Sequence, residues 1–423
     1  MSFRIAARTI LHLGAELISS DGIALYELIK NAYDARSPSV QINIVMALSR
    51  AAQRDTLDRI ADTRENQLSP SAQRDLMLHL RQRCLESIDY SAPCARDVHK
   101  KLESIRTIDD LESAVLDANS ISVIDQGEGM SLAILNDAFL TIGTRSKRRG
   151  KDAMNSDERQ HTLGEKGIGR LSAMRLGDRL RVRTAQKADH RWNNLDIDWS
   201  AFSHASDALL EDIHLAARVG GQKASPETSG TEILVRALKR DWSRKHVEGI
   251  VQQDLAQIND PFESSLRFPI TVRHNGEIIP IPRLEPWILK HYHGRCAGKF
   301  RRLPSRGLVF SGTMDESSGK TENFSYSEVE LLSVARESHL AVDLSPEILH
   351  SLGPFSVEFY WFNRRKLTAL DGVGDLTTVR DRLRPWTGGL LVFRDGFRVF
   401  PYGGGTMIGL IWTGRPSRAA DTS

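Results

Sequence analysis

Glycine-bearing turns set between strands and helices constrain this chain more than any other feature. A β-branched run at 120–124 ends in Asp125-Gln-Gly127-Glu-Gly129-Met130. A second turn, Gly164-Glu-Lys166-Gly167-Ile-Gly169-Arg170, runs into a helical stretch, and Ser229-Gly230-Thr231 opens an alternating strand. Glycine permits φ values that other residues resist and lets the backbone approach a neighbour closely. Around these turns the apolar period switches between two residues and about 3.6, so strands and helices alternate.

The period places a helix at 23–35, a strand at 40–45, a strand at 120–124 and a helix at 132–139. A helix at 168–175 and strands at 180–184, 192–197 and 231–238 follow, with an edge strand expected at 3–6. Between 46 and 116 glycine is scarce and apolar residues fall at helical spacing, which predicts two or three helices set between the strands. The charge spacing of that segment fits solvated faces and a structural or partner-docking role. Residues 145–160 and 219–229 are polar and read as connections. Residues 241–258 are amphipathic and helical, Pro261 and Pro269 mark a boundary, and strands recur at 270–274, 356–362, 389–393 and 397–401, the last two joined by a turn at Asp395-Gly396.

A chain of 423 residues is too long for one ordinary core, which predicts two domains. The apolar share of 40% and charged share of 26% fit a water-soluble globular protein. No apolar run reaches the roughly 18 residues of a membrane span. Three scattered cysteines, Cys84, Cys94 and Cys296, argue against a disulfide framework and for a cytoplasmic location. A net charge of +3 makes no case for nucleic acid without a local basic patch.

Four short constellations carry the candidate chemistry. Glu27, Asn31 and Asp34 lie at i, i+4 and i+7, so a helix presents them on one face. The amide oxygen is a hard ligand suited to magnesium, and a carboxylate can take a proton from water; a solvated helix face fits the same spacing. Asp125 at a strand end could accept from an exocyclic amine such as that of adenine, and a plain Asp/Gly turn fits equally. The Gly164–Arg170 turn would expose amides at a helix start as an anion site, with Lys166 and Arg170 adding charge. It lacks the Gly-Lys-Ser/Thr of a Walker A loop. Ser229-Gly230-Thr231 means little alone. His291-Tyr-His293-Gly-Arg-Cys296 is metal-like but lacks a fourth ligand.

Order and spacing join these pieces. Glu27-Leu-Ile-Lys-Asn31-Ala-Tyr-Asp34-Ala resembles the N box of the GHKL ATPases (gyrase, ninety-kilodalton heat-shock chaperone, histidine kinase, MutL), and Thr141-Ile-Gly-Thr-Arg-Ser-Lys147 resembles their lid start. The resemblance covers residues 1–45 and about 118–240, and is nearest to bacterial MORC-like or chaperone-like members. It implies an α+β protein: a Bergerat-type α/β sandwich at 1–240 with a helical insertion at 46–117. A linking helix at 241–260, a βαβ transducer-like domain at 261–414 and a polar tail at 415–423 would follow.

The same resemblance implies ATP with magnesium as cofactors and ATP hydrolysis as the activity. Glu27 would be the general base, Asn31 the magnesium ligand, and Asp34 a support of the pocket. Asp125 would bind the adenine amine, Gly127, Gly129 and Met130 would wall the ring, and Thr231 would buttress it. Gly164, Lys166, Gly167, Gly169 and Arg170 would cradle the phosphates. A basic residue of Arg364-Arg365-Lys366, with Lys366 favoured, would reach the terminal phosphate from the second domain. ATP-driven homodimerisation on a DNA or protein client is implied, with a nucleotide-gated switch or a histidine kinase as alternatives. The short stretch before Glu27 leaves no room for a phospho-acceptor helix. A frameshift between Thr406 and Gly414 is expected, because the preceding reading frame would permit an Asp-Asp-Trp-like run there.

Overall fold

The computed structural model describes residues 6–9, 11–12, 18–66, 68–140, 172–204, 209, 212–260, 268–284, 288–304, 307–337, 344–363, 374–386, 391–394 and 396–399. The lid-like stretch, the Gly164–Arg170 turn, Arg364–Lys366 and the tail all lie outside them.

Ser20 caps helix α1 (Asp21–Asp34), its hydroxyl accepting from the Ile23 amide at 3.1 Å. The helix stops where Arg36 turns to φ +56° and the Ser37 amide reaches back to the Ala32 carbonyl at 3.1 Å. Strand β1 (Val40–Met46) follows. Four helices then precede β2 (Asn119–Asp125): α2 (Arg50–Glu65), α3 (Pro70–Glu86), α4 (Ala95–Ser104) and α5 (Ile108–Asp117). The sequence predicted two or three. Ser49, Ser69 and Thr107 each cap a new start with a side-chain oxygen, and Pro70 begins α3, so the helical period is cut more often than the apolar spacing reveals. Their contact faces form a core of their own, with Ile60, Met77, Leu80, Cys84, Leu102 and Leu111 buried in it.

After β2 come α6 (Leu132–Leu140), α7 (Ser172–Leu176), β3 (Gly177–Ala185), β4 (Arg191–Asp198), α8 (Ser200–His204), β5 (Arg218–Gln222), β6 (Gly230–Leu238) and α9 (Arg244–Gln253), then β7 (Ile270–His274) and β8 (Glu277–Ile279). The stretch read as a polar connection contains edge strand β5, whose two glycines hid its pattern. Eight strands form one sheet in the order β5-β4-β3-β6-β2-β1-β7-β8. All pairs are antiparallel except β1 with β7.

Register follows from the apolar alternation. Ile279, Val272, Ile42, Val123, Ile233, Val182 and Leu195 stand in one row across seven strands. A one-residue slip would turn such a row out of the core. The row is buried with Leu25, Leu28 and Ile29 of α1, Met174 of α7 and Val247 and Val251 of α9, so these helices cover one sheet face. The opposite face is polar, with Asn43 donating to Ser122 at 3.2 Å and Arg181 to Asp196 at 2.6 Å.

The compact units divide at 282/283 and 387/388, not at the expected 260/261. Pro269 marks no domain boundary: it immediately precedes β7, and its carbonyl accepts from the Val40 amide at 3.0 Å, which leads β7 in alongside β1. The first unit also regains the chain after 387, where β13 (Phe393–Arg394) pairs with β14 (Phe397–Arg398). Phe397 is fully buried against Tyr26 and Tyr33 of α1, with ring centroids 5.7 and 4.7 Å away. The Tyr26 hydroxyl donates to the Arg398 carbonyl at 2.6 Å. Phe397→Ala is expected to cost about 3–5 kcal/mol of stability, read as a lower denaturation midpoint at unchanged m-value.

The second unit, residues 283–387, holds β9 (Gly294–Leu303), β10 (Gly307–Glu316), β11 (Thr321–Ser327), α10 (Glu328–Glu337), α11 (Pro346–Ser351), β12 (Phe355–Trp361) and α12 (Leu376–Leu383). Its sheet runs β11-β10-β9-β12 and every pairing is antiparallel. Among the described residues no parallel pair supplies the expected βαβ arrangement; two helices link the third and fourth strands of an antiparallel sheet. No helix among the described residues is long and apolar enough to cross a membrane.

Candidate functional site

The end of β2 is where the sequence-derived residues converge. Asp125 Oδ1 accepts from the Gly127 amide at 2.8 Å and from the Thr231 amide at 3.3 Å. Its other oxygen accepts no hydrogen bond from a described residue. Burial pushes the Asp125 carboxyl up to about 6, against the two amides that favour its ionised form. A buried carboxylate with a spare acceptor suits an amine donor.

The turn after Asp125 is held on both sides. The Gln126 amide donates to the Ser37 hydroxyl at 2.9 Å, and the Glu128 amide to the Ala35 carbonyl at 2.9 Å, tying the turn to the end of α1. On the far side Gly129 sits at φ +67°, and a Cβ there would lie 1.9 Å from the Ala185 carbonyl oxygen. Gly129→Ala is therefore expected to cost about 2 kcal/mol or more of stability, measured by denaturation. Gly230, at φ +131°, would place a Cβ 2.2 Å from the Asp125 carbonyl, so the opening of β6 also requires glycine.

Sequence reasoning missed the residue that knits this end together. Thr184 Oγ1 accepts from the Met130 amide at 2.9 Å, donates to the Gly230 carbonyl at 3.0 Å and lies 3.0 Å from Thr231 Oγ1. The signal was present: Leu180, Val182 and Thr184 share one face of β3, and a fully buried polar residue ending an apolar row calls for partners. Asn193 of β4 adds a bond from Nδ2 to the Met130 carbonyl at 3.1 Å.

On α1, Glu27, Asn31 and Asp34 are all partly exposed, while Leu25, Leu28, Ile29 and Ala32 turn inward. The Asn31 carboxamide makes no hydrogen bond to a described residue, so its oxygen is available to a hard cation. Lys30 Nζ donates to both Glu27 oxygens, at 2.9 and 2.8 Å. The opposite charges at i and i+3 were legible in the sequence and were not used. In the second unit, His293 Nδ1 accepts from the Asn363 amide at 3.2 Å, a backbone-holding role.

The structure thus brings Asp125, Gly127, Gly129, Met130 and Thr231 to one place beside the end of α1. Gly164, Lys166, Gly167, Gly169, Arg170 and Lys366 lie outside the described residues. Residues 107–231 match the family described as histidine kinase-, DNA gyrase B- and HSP90-like ATPase. The matched segment contains α5, β2 and the Asp125 turn and ends on Thr231; Glu27, Asn31 and Asp34 precede it. No curated protein matches the chain. The matched segment is similar to a GHKL-type ATPase domain, and nucleotide binding is the coarse function that this likeness suggests.

Proposed function

We propose that this chain, carrying a GHKL-type ATPase domain, binds ATP with magnesium and hydrolyses it, with adenine at Asp125 and the phosphates toward α1. The observation that carries the reading is Asp125: one oxygen is fixed by the Gly127 and Thr231 amides, the other accepts from no described residue, and Gly127, Gly129 and Gly230 pack the turn closely against neighbouring backbone. The adenine amine donates to that second oxygen. Met130, fixed through its backbone by Thr184 and Asn193, forms the wall beside the ring.

Magnesium, when bound, supplies charge to the polyphosphate, and the Asn31 carboxamide oxygen is the ligand the chain offers it. Glu27 takes the proton of the attacking water, and Asp34 supports the pocket from the last turn of α1. Gly164, Lys166, Gly167, Gly169 and Arg170 cradle the phosphates through amides and cationic side chains, and Lys366 is the proposed basic contact of the terminal phosphate. The cycle drives homodimerisation on a DNA or protein client. The residues 46–117 helices form a docking module, and the second unit transmits the nucleotide state.

Calorimetry with ATP and GTP tests the adenine assignment. ATP is expected to bind at least about tenfold tighter, since guanine presents a carbonyl where adenine has its amine and leaves the Asp125 acceptor unpaired. Equal affinity would remove Asp125 from the base-reading role.

A further inference from the structure

The contact between Lys30 and Glu27 bears on how the proposed base is controlled. Lys30 lies one turn after Glu27 on α1, and its ammonium sits nearly equidistant from the two carboxylate oxygens, at 2.9 and 2.8 Å. Neither side chain is freely solvated: Lys30 is 15% and Glu27 20% exposed. The ammonium also lies over the Tyr26 ring, with Nζ 5.8 Å from the centroid, and Tyr26 is fixed by its hydroxyl bond to the Arg398 carbonyl. The ammonium is thereby kept near the helix.

A partner that merely aims a general base holds one oxygen and leaves the other toward the water. Here the ammonium stands at the mouth of the carboxylate and occupies an acceptor site on each oxygen. Its positive charge opposes the arrival of a further proton at the acceptor sites that remain on each oxygen. Partial burial also limits screening of the pair by salt.

We propose that Lys30 is an intramolecular lock on Glu27, holding the carboxylate in a form that does not accept the water proton until the ammonium is drawn away. The proposal rests on Glu27 being the base. Lys30 touches neither nucleotide nor water in this role; it acts through Glu27, so removing it raises turnover. A lysine that only aimed the base would do the opposite.

The experiment is phosphate release at saturating ATP by the full chain for wild type, Lys30→Met, Lys30→Arg and Glu27→Gln/Lys30→Met, with ATP binding measured alongside. Lys30→Met preserves stem length and helix propensity, and Lys30→Gln is the second variant if the first folds poorly. The lock predicts that Lys30→Met turns over at least about threefold faster than wild type, that Lys30→Arg stays at the wild-type rate because the guanidinium can hold both oxygens, and that the double variant falls to background. A wild type at background with an active Lys30→Met supports it most strongly. A Lys30→Met and Lys30→Gln no faster than an active wild type would overturn the lock alone. Release at background in every protein that binds ATP would overturn the hydrolysis reading and the lock with it.

Discussion

Glu27→Ala is expected to reduce phosphate release at saturating ATP by about a hundredfold to ten-thousandfold, the range typical of a lost general base, while ATP still binds. The carboxylate lies on the partly exposed face of α1, and the apolar residues that pack the helix, Leu25, Leu28 and Ile29, are on its other sides. Removing it should therefore leave the fold intact. Glu27→Gln is the companion variant: it keeps the side-chain shape but offers no anionic acceptor. Equal losses in the two variants assign the effect to proton transfer. Unchanged release in both would remove Glu27 from the chemistry, and parallel loss of ATP binding would make it a structural residue. ATP binding without release from wild type and Lys30→Met alike would instead identify a nucleotide-gated switch.

The inner strands of the sheet were legible because their apolar residues alternate, as those of edge strand β5 do not. Val40, Ile42 and Ile44 on β1, and Leu180 and Val182 on β3, announce both the strands and the face they bury. The Asp125 turn was legible for a different reason: only glycine tolerates the 1.9 Å approach of a Cβ at Gly129 to the Ala185 carbonyl. What the sequence hid depends on partners far away in the chain. Nothing local says that the Pro269 carbonyl will receive the Val40 amide, or that Phe397 will be buried between Tyr26 and Tyr33. Such pairings follow from closing a core, and they place β7, β8 and the 393–398 hairpin with the first unit. Thr184 was overlooked because a threonine at a strand end has many uses, and its role appears only once Met130, Gly230 and Thr231 surround it. The Lys30 contact was within reach of helical spacing alone.

The second large effect concerns pH. ATP affinity is expected to fall as pH is lowered through about 6, because burial raises the Asp125 carboxyl to that value and its ionised oxygen is the proposed acceptor for the adenine amine. Protonation converts one oxygen to a donor and weakens a charge-assisted bond worth about 1.5–3 kcal/mol, which is about a tenfold to hundredfold change in affinity. The sign for folding is opposite. A carboxyl whose folded value lies above its ordinary 3.8 binds its proton more tightly in the fold, so this group favours the folded state increasingly as pH falls from above 6 toward 3.8. Weaker binding at pH 5 is then not explained by Asp125 unfolding the protein. Asp125→Asn separates the site from the ligand's own titration: it has no proton to gain and is expected to bind ATP weakly at every pH, with the step near 6 removed. A step of equal size in wild type and Asp125→Asn would assign the pH dependence to the phosphates and take the adenine contact away from Asp125.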